Sequence, residues 1–105
     1  KTKVDRKTSK AEAASWEDVD RTLFEHLRTL RKTIADEIGK PPYVVFPDTT
    51  LRALAKHRPA SDETLTFIRG IGETKRRRYG ARFLAALDGW SEQHGGGRDI
   101  GLTAS

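Results

Sequence analysis

Val19, Leu23, Leu27, Leu30, Ile34 and Ile38 follow one another at spacings of four, four, three, four and four. At about 100° per residue this places all six on one helical stripe, with charged residues filling the other faces. Ser15 with Asp18 offers a capping-box-like start, and Gly39 ahead of Lys40, Pro41 and Pro42 is a stop. The spacing predicts a long first helix over residues 17–38.

The pattern then changes. Tyr43, Val44, Val45 and Phe46 lie between Pro42 and Pro47, and a β-branched and aromatic run bounded by proline predicts an extended connector. Alternation would point Val44 and Phe46 into a core and leave Tyr43 and Val45 on the other side, with Tyr43 exposed. Helical signals return at Asp48, an expected N-cap, and Leu51, Leu54 and Ala55 give a short apolar face before Pro59. Ser61, Asp62 and Glu63 open a third helix carrying Leu65 and Ile68. Beyond Gly70 and Gly72 a further helix puts Tyr79, Phe83, Leu87 and Trp90 on one buried stripe. The fold class is therefore all-α, a compact bundle of four or five helices with a helix-hairpin-helix-like turn at the glycines.

Composition sets the limits of this bundle. The 105 residues suit one domain. Residues 1–14 and 93–105 hold little to bury, so they read as a linker or arm and a flexible tail around a domain at 15–92. The chain begins at Lys1 with no signal-like segment, which reads as a piece of a longer protein. No apolar run approaches the roughly 18 residues a membrane span needs. With no cysteine, disulfides and thiolate chemistry are excluded, and an intracellular monomer is expected.

The net charge of +5 is unevenly spread: residues 15–39 carry −2, whereas 40–60 and 61–83 each carry +3. A basic middle suits a polyanionic partner such as nucleic acid. The stretch IRGIGETKRRRYG concentrates the question. Its glycines allow a positive φ or a close approach, and the first amides of the following helix could point at phosphate oxygens. A dinucleotide fingerprint would need a small residue where Lys75 stands, after a strand. The four consecutive cations of residues 75–78 do not share a face. Lys75, Arg78 and Arg82 form one stripe, Arg76 lies beside Tyr79 and Phe83, and Arg77 points elsewhere.

Taken together, LRTLRKTIADEIGKPPYVVFPDTTLRALAKHRP and the hairpin FIRGIGETKRRRYGARFLAAL resemble the HRDC domain, the helicase and RNase D C-terminal module, of RecQ-family DNA helicases. The resemblance covers about residues 20–90. It implies a five-helix bundle without catalytic activity of its own, binding single-stranded or structured DNA and helping to target an ATP-dependent helicase in DNA repair and recombination. No cofactor is expected in the domain, ATP and magnesium belonging to the parent's motor domains. Carried over by position, the family's basic surface around helix 1 and the connector implicates Arg21, Arg28, Arg31, Lys32, Lys40 and Tyr43. Lys75, Arg78 and Arg82, with Gly70 and Gly72, form the other candidate site.

Tyr43 is a candidate stacking platform with Lys40 as a cation beside it. Glu17, Asp18, Asp20 and Glu25 make the start of the first helix acidic, which favours instead a module that docks on the parent helicase or on another protein. A place in an RNase D-type exonuclease is the third reading. His26, His57 and His94 have no zinc-like spacing and read as surface histidines. Asp36 and Glu37, adjacent on a helix, diverge by about 100° and do not form a metal-binding pair.

Overall fold

A computed structural model describes residues 16–102. Five helices follow in order: α1, Arg21–Ile38; α2, Pro42–Val45; α3, Asp48–His57; α4, Asp62–Leu65; and α5, Glu73–His94. No strand occurs among the described residues. The expected all-α, five-helix bundle is the observed one.

Helix α1 begins later than its apolar spacing suggests. The Asp20 carboxylate accepts from the amides of Thr22 and Leu23 at 2.9 and 3.1 Å, capping the helix there. Asp18 lies in a preceding turn at φ 62°, and Ser15, the other half of the expected capping box, is outside the described residues. At the far end Gly39 adopts φ 67°, and the amides of Gly39 and Lys40 bond to Asp36 and Ala35. This left-handed cap fixes the backbone of Lys40. Leu23, Leu27 and Ile34 are buried as predicted, Val19 and Leu30 half so, but Ile38 is 40% exposed at the helix end.

The connector is not extended. Residues 42–45 form a one-turn helix, because Pro42 stands at its start, where the missing N–H is no loss, and the Val44 amide bonds to the Pro41 carbonyl. Helical geometry overturns the expected alternation. Val45 and Phe46 are fully buried, and Tyr43, two residues before Val45, faces away and is 68% exposed. Phe46 meets Phe83 and Tyr79 edge-on at ring separations of 5.1 and 6.0 Å. Asp48 is the first residue of α3 rather than its cap.

Ser61 caps α4 in a reciprocal arrangement with Thr64. The helix is one turn long, so Ile68 is buried from the loop beyond it. In the hairpin, Gly70 has φ 93°, and a β-carbon there would collide with the Thr50 hydroxyl, which donates to the Arg69 carbonyl at 3.2 Å. Gly72 has an ordinary φ of −83° and open space around it. Only one of the two glycines is therefore required. The stripe Tyr79, Phe83, Leu87 and Trp90 is buried as expected.

Residues 95–102, expected as part of a free tail, are instead clasped to the α3–α4 turn. The amides of Asp99 and Ile100 donate to the Arg58 and His57 carbonyls, and Asp99 Oδ1 accepts from the Ala60 amide. Arg98 reaches the Pro59 carbonyl and pairs with Asp88 of α5. Since a carbonyl can only accept, His57 Nδ1 donates to the Ile100 oxygen at 2.6 Å. Backbone pairing explains order in so apolar-poor a segment. The linker expected over residues 1–14 lies outside the described residues.

The hairpin yields a stability test. Gly70→Ala, strained in backbone and sterically blocked, should lower unfolding free energy by about 1–3 kcal/mol. Gly72→Ala should change it by less than about 1 kcal/mol. Urea unfolding followed by circular dichroism distinguishes the two.

Candidate nucleic-acid interface

Helices α1 and α5 run antiparallel. His26 lies 5.5 Å from the Trp90 ring, Thr29 and Leu30 share a depression with Ala85 and Ala86, and Glu37 pairs with Arg82. The same flank of α5, followed toward its N-terminus, carries Arg78 and then Lys75. Lys75 Nζ stands 6.0 Å from the Phe46 ring centroid, immediately after α2. Lys40, just past the end of α1, and Tyr43, in α2, belong to one sequence candidate and Lys75 and Arg78, on α5, to the other, and the approach of Lys75 to Phe46 links the two. None of these three cations has a salt-bridge partner among the described residues.

The remaining candidates are placed differently. Arg21 lies at the start of α1, about 27 Å along the helix from its end, with its guanidinium 4.0 Å above the Trp16 ring. Arg28 pairs with Glu25, and Lys32 with Asp36, each within α1. These four side chains line an open groove of ≈ 410 Å³ that reaches Pro42 and carries no net charge from them. Arg31 is a correction to the site. Its side chain is only 9% exposed, and Nη1 donates to the Phe46 carbonyl at 2.9 Å and to Asp48 at 2.8 Å. A buried guanidinium committed to two acceptors is a fastening of the fold.

Arg82 is committed too. It grips Glu37 through two bonds of 2.7 and 3.2 Å. The hydrogen bond from Arg82 chiefly, then its charge, holds the Glu37 carboxyl below the ordinary glutamate range against an opposing desolvation, and Glu37 raises Arg82 in turn. Arg76 packs half-buried and pairs with Asp62, while Arg77 pairs with Glu73 on the outer face. The hairpin adds two exposed residues that pattern reasoning passed over, Arg69 and the 54% exposed Phe67. An unspaced aromatic outside any helical stripe was the available signal for Phe67. Glu37 carried none, since its partner is 45 residues away.

Among the described residues no group of three His, Asp or Glu side chains could hold a metal ion. His26 and His94 flank Trp90, His94 stacking on it at 3.8 Å. No described helix is long and apolar enough to cross a membrane.

Residues 20–87 match the HRDC domain family. The chain belongs to that family. This HRDC domain is 46% identical over 69 residues to the ATP-dependent DNA helicase RecQ of Bacillus subtilis, a match spanning 66% of the chain and 12% of the relative. It is 42% identical over 72 residues to the ATP-dependent DNA helicase UvrD2 of Mycobacterium bovis, covering 69% of the chain and 10% of the relative. Among solved structures it is similar to HRDC domain 3 of D. radiodurans RecQ, with a TM-score of 0.62 and 39% identity over 64% of this chain and 88% of that one. The chain thus spans about a tenth of the length of its helicase relatives. Residues 95–102, with their clasp, lie beyond the segment matched to the HRDC family.

Two measurements follow from this geometry. Arg31→Met should cost about 1–3 kcal/mol of stability by leaving the Phe46 carbonyl without its donor, read by urea unfolding. By NMR, the Glu37 carboxyl should titrate below the ordinary glutamate value and return toward it in Arg82→Ala. The folded pKa being the lower one, the contact's contribution is present above the unfolded value and disappears as pH falls through the folded value.

Proposed function

We propose that this HRDC domain is a non-catalytic accessory module of a RecQ-type ATP-dependent DNA helicase, binding single-stranded or structured DNA and helping to direct the helicase in repair and recombination. The RecQ relatives support such a parent, in whose motor domains ATP and magnesium would act. The observation that carries the reading is Tyr43, 68% exposed, with Lys40 three residues before it and Lys75, one turn from Arg78 on α5, approaching Phe46 three residues after it. An unstacked base can lie on the phenol ring, and three cations without carboxylate partners are available to the flanking phosphates. The Gly70 turn and the first amides of α5, just ahead of Lys75, offer further phosphate donors.

The charge pattern of α1 favours a second reading for its own outer face. Glu25, Arg28, Lys32 and Asp36, two acids and two bases around a groove, suit a protein surface of mixed charge better than a polyanion. Docking on another domain of the parent, or on a separate protein, would use this groove and leave the Tyr43 face open to DNA.

Anisotropy titration of labelled oligothymidylate at several salt concentrations tests the DNA reading. Weak binding with a log–log salt slope of about −2 is expected if three phosphates are neutralised. Tyr43→Ala should weaken binding about 5-fold or more with little change of slope. Arg78→Ala should flatten the slope by about 0.7. Absence of binding at low salt, or binding without a salt slope, would sink the proposal.

A further inference from the structure

The Glu37–Arg82 contact differs in position from the other exposed pairs. Arg28–Glu25, Lys32–Asp36 and Arg77–Glu73 are neighbours on single helices. Glu37 instead reaches from the last turn of α1 to α5, and its partner is one helical turn from Arg78 on the Lys75, Arg78 and Arg82 stripe. Both carboxylate oxygens are engaged, the planar two-bond geometry with which arginine also takes a phosphate. The two side chains are 43% and 52% exposed, so water and a ligand can reach the pair and it can open.

We propose that Glu37 is an internal competitor for Arg82, occupying the guanidinium that would otherwise be the fourth cation of the DNA face. The inference rests on the DNA reading above. A phosphate arriving at Arg82 must exchange one ion pair for another, and the released carboxylate then lies beside the incoming strand. Arg82 therefore adds little to affinity in the native chain, and Glu37 sets the inner limit of the face at Arg78. Such a limit keeps the contact short and readily reversed, which suits a module that hands a strand on to a motor. The depressed titration of Glu37 agrees with this, since the carboxylate stays ionised wherever DNA binding would be measured.

The test is the salt-dependent titration with oligothymidylate on Glu37→Gln, Arg82→Gln, the double variant, and Glu92→Gln. The last makes the same change of net charge ten residues farther along α5 from Arg82, about 15 Å away. Glu37→Gln should bind about twofold to tenfold more tightly and steepen the salt slope by about 0.7, one added single-strand phosphate contact. The double variant should lose that gain, and Arg82→Gln alone should leave the native slope nearly unchanged. Equal effects of Glu37→Gln and Glu92→Gln would overturn the competitor while leaving the DNA reading intact. So would a slope flattened by about 0.7 in Arg82→Gln, because Arg82 would then already hold a phosphate. If the native chain fails to bind at low salt, the DNA reading falls and the competitor, which rests on it, falls with it.

Discussion

Burial of Phe46 is the constraint on which the arrangement depends. Its ring is fully enclosed against Tyr79 and Phe83 of α5, and its carbonyl is held by the buried guanidinium of Arg31 from α1. One residue thus joins the first helix, the last helix and the proline-bounded link. Removing a buried aromatic ring of this kind costs about 3–5 kcal/mol, a large share of the stability of so small a domain. Because Val45 and Phe46 both turn inward, the one-turn helix before them must turn Tyr43 outward. The exposure of Tyr43 is a consequence of core packing.

Electrostatics then divide a basic chain into cations that serve the fold and cations left at its surface. Arg31, Arg58, Arg76 and Arg98 are largely buried and paired with carboxylates, and Arg98 and Arg58 together fasten the C-terminal segment and the chain's entry at Asp20. Arg28, Lys32 and Arg77 are exposed but have neighbouring carboxylates on their own helices. Lys40, Lys75 and Arg78 have no such partner among the described residues. Under the proposed function, three cations and one ring make a weak, salt-sensitive contact to a single strand rather than a duplex-sized site.

Local periodicity made the helical class and the α1 and α5 stripes legible, because each depends on spacing within one element, whereas Tyr43 is exposed although the alternation it was read from does not occur. The same reasoning misjudged residues 42–45, where proline at the first helical position permits a turn that proline elsewhere would forbid. The family resemblance, carried over by position, counted Arg31 as a surface cation, and position alone does not distinguish a guanidinium facing solvent from one bonded to a carbonyl 15 residues away. The clasp of residues 95–102 on His57 and Arg58, and the grip of Glu37 on Arg82, are likewise contacts between distant positions. Spacing within an element carries no information about them. The candidate site was thus visible as two separate fragments, and the approach of Lys75 to Phe46 is what links them.

The central claim is that those fragments act as one surface, and an amide-resolved NMR titration of the domain with a short oligothymidylate tests it most directly. The account predicts that Lys40, Tyr43, Lys75 and Arg78 shift together along one binding curve with a single dissociation constant, while the α1 groove around Arg28 and Lys32 stays still. Shifts confined to that groove, or separate curves for the Tyr43 and Lys75 regions, would contradict it.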